Sequence, residues 1–309
     1  MENQKTIVFK VSDNIKEKMI EHYKDMVTGK PPYSVFQVKD YDCVTTLYES
    51  GKVMFQGIGA DIEANMWKDL ESHFNNRNID EEIKQKEEKA DNKMYYYYDA
   101  IGSDEVGTGD YFGPIIVTAT LVDKSTRKLL EDLKIMDSKK MTDDKIRRCA
   151  PIIMKKIPYV TFTLSNTKYN EWTKKGFNMN KIKAILHNKV LYELSNKGIP
   201  YHKIIVDQFT SPKSYFTYLK QEGITEKVTK ITFLTKGESA HLAVAAASVI
   251  SRFIFLEEMD KLSKQYNLTI LKGASDKVDE IGKQIVSKYG ASELYKIAKV
   301  NFKNTDKIL

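Results

Sequence analysis

Residues 75–93 constrain this chain more than any other segment. Of these 19 residues 11 are charged, and the only apolar ones are Ile79, Ile83 and Ala90. Such a stretch buries little and reads as a flexible linker or a solvated helix. It divides the 309 residues into a small N-terminal part, 1–74, and a large C-terminal part, 94–309. That length suits two domains. Hydrophobic residues make up 41% of the chain, enough for a core in each part.

Charge and cysteine usage narrow the function classes. The net charge is +7. Residues 1–74 hold 9 Lys against 12 Asp and Glu, a balance of −3, so the remainder carries +10. A basic excess suits an anionic partner. If the small part binds nucleic acid, it does so by a local face and not by bulk charge. Cys43 and Cys149 are the only cysteines, which excludes a disulfide scaffold and a Cys-built zinc site and suits a reducing compartment. The N-terminus has no basic segment followed by an apolar core, so no signal peptide is visible. The longest apolar run, His241–Phe255, is broken by Arg252 and falls short of a membrane span. A soluble, cytoplasmic protein is expected.

The small part reads β-α-β-β-β-α. Thr6–Val11 alternates as a strand. Ser12 and Asp13 suit the cap of a helix with apolar positions Ile15, Met19, Tyr23 and Met26. Gly29, Pro31 and Pro32 end it. Tyr33–Lys39, Cys43–Glu49 and Lys52–Phe55 read as strands, with a hairpin signal at Ser50-Gly51. A second helix places Ile62, Met66, Trp67, Leu70 and Phe74 on one face. Two helices and four short strands make a two-layer unit whose sheet has one open face.

The large part alternates strands and helices. Tyr95–Ile101 and Pro114–Leu121 read as strands, with Gly102–Gly113 as a Gly-rich turn between them. Thr142 suits the cap of a helix running towards Ile153. Tyr159–Leu164 is a strand. Ile182, Ile185, Leu186, Val190, Leu191 and Leu194 form a helical stripe, ended by Gly198. Ile204–Val206 and Ile231–Leu234 are short buried strands. Ala240–Met259 is a long helix whose Ala-rich first half suits close packing on the sheet. The fold class is α/β with a mixed sheet flanked by helices.

Carboxylates stand where these strands end. Asp104 and Glu105 follow Ala100-Ile101, and Asp207 follows Ile204-Ile205-Val206. Glu238 follows Ile231–Leu234 and a short turn. Ligands of α/β folds bind beyond the C-terminal ends of strands. Four acids meeting there repel one another unless a cation neutralises them. No His or Cys accompanies them in the pattern, so oxygen ligation points to Mg²⁺ or Mn²⁺ rather than zinc. Two such ions about 4 Å apart suit in-line phosphoryl displacement. Each acid alone has an ordinary reading, as a turn former or a helix N-terminal charge. The set of four is the stronger signal, although spacing alone does not bring its members together.

Gly107-Thr108-Gly109 reads as a tight loop whose backbone approaches a sugar-phosphate chain closely, or as an ordinary turn. Gly107–Gly113 is one residue too long for a dinucleotide fingerprint and leads into a strand, and no P-loop is present. Asp137-Ser138-Lys139-Lys140 precedes the Thr142-capped helix. A Ser with two lysines grips a phosphate, though such a pair is more often solvated surface. The same holds for Lys272-Gly273-Ala274. Tyr95–Tyr98 reads as strand packing and His241 as a core or capping residue.

Four blocks, in order, resemble a known family. They are Ile101-Gly-Ser-Asp-Glu-Val-Gly-Thr-Gly-Asp-Tyr-Phe-Gly-Pro114, Asp137-Ser-Lys-Lys140, Val206-Asp-Gln208 and Lys236-Gly-Glu-Ser-Ala-His-Leu-Ala-Val-Ala-Ala-Ala-Ser248. They are similar to the blocks of bacterial ribonuclease HIII, a type 2 ribonuclease H. The small part is similar to that family's extra domain, itself like half of a TATA-binding protein. The resemblance spans nearly the whole chain.

It implies an RNase H-like catalytic domain that cleaves the RNA strand of RNA/DNA hybrids and leaves 5′-phosphate and 3′-hydroxyl ends. It implies that Asp104, Glu105, Asp207 and Glu238 are catalytic and hold two Mg²⁺ ions, or Mn²⁺ in their place. Gly107, Thr108 and Gly109 would contact the 2′-hydroxyl, and Ser138, Lys139 and Lys140 the phosphates. The small domain would dock on the hybrid through its open face, with Tyr33, Gln37 and Lys39 as candidates and the linker as a tether. The implied partner is the hybrid duplex, with no membrane and no organic cofactor, and the chain is expected to be a monomer. The sister type, ribonuclease HII, has Gly-Arg-Gly in place of Gly107–Gly109 and Asp in place of Glu238. Many members have Ala where this chain has Gly237. Three rivals stay open: cleavage at single ribonucleotides embedded in DNA, a silent hybrid-binding protein, and another two-metal nuclease on the same fold.

Overall fold

The computed structural model describes residues 5–84, 94–135, 140–235 and 237–309. The chain forms two compact units, Met1–Ala90 and Asp91–Leu309.

In the first unit β1 (Lys5–Lys10), α1 (Asp13–Tyr23), β2 (Ser34–Lys39), β3 (Cys43–Tyr48), β4 (Lys52–Gly57) and α2 (Ala60–Asn75) follow in the order that the periodicity predicts. The strands make an antiparallel sheet in the order β1-β4-β3-β2. Alternation sends Phe9, Phe36, Leu47 and Phe55 into one core with Ile15, Met19 and Trp67. The other sheet face is open. Lys10, Lys39 and Lys52 are exposed on it, and none of the four strands carries a carboxylate.

Several details differ from the sequence reading. Helix α1 stops at Tyr23, so Met26 lies beyond it and is exposed. Helix α2 buries Ala60, Ala64, Trp67 and Glu71, and leaves Ile62, Met66 and Phe74 outside. A carboxylate takes the inner position because it is satisfied there. Glu71 accepts from the Ser12 N–H at 2.5 Å and the Ser12 Oγ–H at 2.8 Å, and pairs with Arg77 at 3.1 Å. Tyr33 has φ 63 and stands before β2, whose register shifts between Ser34 and Phe36. It therefore does not share the strand face of Gln37 and Lys39. The charged segment begins within this unit, for a helical stretch α3 occupies 79–84, with Ile79 buried and Ile83 packed on the core.

The second unit carries β5 (Ala100–Val106), β6 (Ile115–Val122), α4 (Lys124–Asp132), α5 (Asp143–Lys156), β7 (Tyr159–Leu164), α6 (Asn166–Lys174), α7 (Met179–Ser195), β8 (Lys203–Asp207), α8 (Pro212–Gln221), β9 (Thr232–Leu234), α9 (Gly237–Ala240), α10 (Leu242–Tyr266) and α11 (Asp276–Tyr289). The sheet runs β7-β6-β5-β8-β9. It is mixed: β5 pairs antiparallel with β6 and parallel with β8. Helix α7 packs on one face and α10 on the other, as Ile101 and Val117 join Leu186 while Ala100 and Ile205 join Val244.

Two boundaries move. The β5 strand starts at Ala100, and Tyr95–Tyr98 is a turn closed by the Tyr98 N–H on the Tyr95 carbonyl at 3.1 Å. Gly102 to Val106 thus belong to the strand, not to the Gly-rich turn. Glycine stands inside the strand because α10 presses there: a Cβ on Gly102 would meet the Val244 nitrogen at 2.5 Å. The long helix is also broken. His241 separates α9 from α10 and caps α10, its Nδ1 accepting from the Ala243 N–H at 3.0 Å. Helices α4, α6, α8 and α11 were not legible. In α4 only Leu130 is buried, so no apolar stripe marks it.

Candidate active site

Two parallel neighbours set the frame. In the β5–β8 register Ser103 pairs with Val206, so the next residues, Asp104 and Asp207, come side by side at the C-terminal strand ends. Both acids lie inside or at the end of their strands rather than in the following turns. Alternation then separates the first two carboxylates. Gly102 faces α10, and so does Asp104 two residues on. Ser103 and Glu105 face α7, where both bond to His187. The Asp104 carbonyl accepts from the Ser251 hydroxyl of α10 at 3.2 Å.

Asp207, in the third block, is tied to the fourth. The Gly237 N–H donates to Asp207 Oδ1 at 2.6 Å. A Cβ on Gly237 would stand 3.1 Å from the Asp207 Cα and 3.2 Å from its nitrogen. This glycine lets α9 sit directly on Asp207, which gives the Gly237 departure a physical role. Glu238 follows it in α9, beside Asp207 along the backbone; its side chain lies outside the described residues.

Glu105 is the most constrained acid. Its Oε1 pairs with Lys183 Nζ at 2.6 Å and its Oε2 with His187 Nε2 at 2.8 Å. Burial pushes its carboxyl up, but the His187 hydrogen bond and the Lys183 charge outweigh burial and hold it below the usual carboxylate range. Lys183 and His187 were missed in the sequence. Their signal was an i, i+4 polar pair beside the apolar stripe of α7.

The loop after β5 combines a strained and an open glycine. Gly107 has φ +97, and a Cβ there would collide with the Pro114 carbonyl oxygen. Gly109 is exposed and has nothing within 4 Å of an added Cβ. Thr108 between them is half-buried. The loop is held from below by Lys299, a buried residue that sequence reasoning missed and that no pattern signalled. Its Nζ donates to the Asp110 carbonyl at 2.8 Å and the Gly113 carbonyl at 2.6 Å. Lys272–Ala274 is more than surface. The Gly273 N–H donates to Asp110 Oδ1 at 2.6 Å, the Tyr111 N–H donates to the Gly273 carbonyl, and Lys272 pairs with Asp143. Lys140 is exposed, while Ser138 and Lys139 lie outside the described residues.

The donor chemistry fits a hard divalent cation. Asp104, Glu105 and Asp207 offer only carboxylate oxygens. Among the described residues no group of three or more His, Cys, Asp and Glu closes around one point. Mg²⁺ needs no such cage, because it keeps waters and is completed by substrate phosphates. A cavity of about 530 Å³ lies elsewhere, at the opposite ends of β8 and β9 beside Lys203 and Thr232. Its volume does not mark the chemistry.

Comparison with known proteins places this geometry. Residues 101–305 match the family model of ribonuclease HII, and residues 6–78 match a domain of unknown function (DUF3378). Ribonuclease HIII of Geobacillus kaustophilus is 41% identical over 98% of this chain and 97% of its own length. Ribonuclease HIII of Bacillus subtilis is 41% identical over 97% and 96%. The crystal structure of Bst-RNase HIII in complex with Mn²⁺ is similar with a TM-score of 0.68 and 36% identity, covering 98% of both chains. RNase H3 of Aquifex aeolicus, 19% identical, shares the fold with a TM-score of 0.55 over 96% of this chain and 100% of its own.

Proposed function

The chain belongs to the ribonuclease HII family and, within it, to the ribonucleases HIII, and we propose that it hydrolyses the RNA strand of RNA/DNA hybrids. The observation that carries this reading is the β5–β8 register, which sets Asp104 beside Asp207 with α9 seated on Asp207. Asp104, Glu105, Asp207 and Glu238 would hold two Mg²⁺ or Mn²⁺ ions, which when bound supply an activated water and stabilise the departing 3′-oxygen. The products then carry 5′-phosphate and 3′-hydroxyl ends.

The chain's own groups prepare that chemistry. The Gly237 N–H fixes one Asp207 oxygen and leaves the other for ligation. Lys183 and His187 keep Glu105 ionised. The open side of Gly109 admits a ribose edge, so backbone groups of Gly107–Gly109 read the 2′-hydroxyl. Ser138, Lys139 and Lys140 hold phosphates and set register more than specificity. The first unit presents Lys10, Gln37, Lys39 and Lys52 on a carboxylate-free sheet face. This supplies the local positive face that its negative net charge withholds. All four acids come from one chain, which supports action as a monomer. The compartment we assign is the cytoplasm, and no helix among the described residues is long and apolar enough to cross a membrane. No organic cofactor enters the scheme.

The test sets two labelled duplexes side by side in Mg²⁺: an RNA/DNA hybrid, and DNA with one internal ribonucleotide. Cutting of the hybrid alone is expected. Asp104→Asn should lower the rate by more than about 100-fold, beyond what groups behind a metal ligand contribute, with hybrid binding retained. Strong cutting at the single ribonucleotide would move the function to the HII type. A folded chain that cuts neither would leave a binding protein.

A further inference from the structure

We propose that His187 is the positioning residue for Glu105, fixing the orientation of that carboxylate through a ring held at both nitrogens. The inference rests on the hydrolase reading above.

His187 has no exposed surface. Its Nε2 lies 2.8 Å from Glu105 Oε2 and its Nδ1 2.8 Å from Ser103 Oγ. A carboxylate only accepts, so Nε2 carries a proton and donates it. Ser103 and Glu105 are two residues apart on one face of β5, and the ring spans them. The imidazole of α7 is thereby set against the strand at two points, and Glu105 is aligned by the same strand that carries it. The Phe209 ring closes one side of the imidazole, with centroids 5.2 Å apart and planes at 30°. Another rotamer of His187 would forfeit both hydrogen bonds and this stacking.

Lys183 does a different job. It sits one helical turn before His187, pairs with the other Glu105 oxygen, and places its Nζ 4.2 Å from the Phe209 centroid. A lysine on a flexible stem supplies charge, whereas a rigid ring with fixed nitrogens supplies direction. An ionised carboxylate has about four acceptor sites, so two remain for a cation. A histidine with a purely packing role needs no partner on a ligating acid. Here one of its two partners is that acid, and the other fixes the ring from behind.

The experiment measures Mn²⁺ binding to the full-length protein by calorimetry without substrate, alongside thermal melting and the Mg²⁺ concentration for half-maximal cleavage. His187→Ala is expected to weaken Mn²⁺ binding and raise the Mg²⁺ requirement by roughly 10- to 100-fold, the range for residues that orient a metal ligand. The KM for hybrid at saturating metal should stay within about twofold of the parent value. His187→Gln, which keeps a donor, should recover part of the metal affinity. A folded His187→Ala protein with parental Mn²⁺ affinity would overturn the proposal. If His187→Ala does not fold, Ser103→Ala replaces it: weaker Mn²⁺ binding supports the proposal, and unchanged binding overturns it. Failure of the parent protein to bind Mn²⁺, or full activity of Asp104→Asn, would instead sink the hydrolase reading.

Discussion

Gly107 and Gly109 stand two residues apart and answer to different constraints. Gly107 needs its left-handed backbone and the space beside Pro114. Gly109 needs neither, since a side chain there meets open space. Gly109→Ala should therefore leave melting within about 0.5 kcal/mol of the parent, as for ordinary surface changes. If the loop approaches the ribose, the added methyl should raise the hybrid KM several-fold. An unchanged KM would remove Gly109 from the substrate surface. Gly107→Ala should unfold the loop instead. The Gly-rich character of this block was legible in the sequence, but which glycine is structural was not, because a backbone angle is not written in residue identity. Lys299 makes the same point. A lysine in the run Ala298–Val300 gives no sign of burial, yet it satisfies two carbonyls under the loop, and burial pushes its ammonium down to about 7.

At the level of elements, the contact of β5 with α10 organises the site. Gly102 permits it, and the small side chain of Ala243 stands against it on the helix. Gly102→Ala should cost about 1–3 kcal/mol as overpacking, read as a lower melting temperature and a larger Mg²⁺ requirement. A parental melting temperature would show that the helix shifts freely. The same helix carries a pH dependence at its cap. His241 accepts from the Ala243 N–H and donates Nε2–H to the Tyr98 carbonyl at 3.0 Å. Burial pushes its imidazole from 6.5 down to about 4. The unfolded chain takes up the proton first, so this stability is complete above about pH 6.5 and lost as pH falls towards 4. The loss approaches about 3 kcal/mol at the acid end. His241→Asn keeps a cap acceptor and should flatten the melting profile between pH 4 and 6.5. An identical slope in parent and variant would show that other groups dominate. The cap was legible from the sequence; the end of β5 was not, because Asp104 and Glu105 are poor strand formers whose place in the sheet depends on their partner β6.

For the whole molecule, charge is divided between units of different character. The first unit is net negative, yet its open sheet face gathers lysines and excludes carboxylates. Changing Lys10, Lys39 and Lys52 together to Ala in the full chain should raise the hybrid KM and leave kcat near the parent value. The slope of log KM against log salt should shrink by up to about 3, one for each phosphate that a lysine no longer neutralises. A salt slope equal to the parent's would place the first unit's contact with hybrid elsewhere. The face itself followed from period-two alternation in four short strands. The buried side of α2 did not, because Glu71 turns inward only where Ser12 and Arg77 await it.

Local pattern by itself determined the order of most strands and helices and the mixed α/β class, and it singled out Asp104, Glu105, Asp207 and Glu238 without fixing where their strands stop. Each of these follows from periodicity, capping residues and turn chemistry within a few positions of the chain. Tertiary structure alone decided that Asp104 stands beside Asp207, that Glu105 turns to the other sheet face, and that Lys183, His187 and Lys299 stand behind the site. The physical reason is sequence separation. Parallel pairing of Ser103 with Val206 joins strands across intervening helices, and no local periodicity encodes the register between them. The partner of a buried charge is likewise set by packing, since any lysine or histidine in the chain has the chemistry and only the fold supplies the distance.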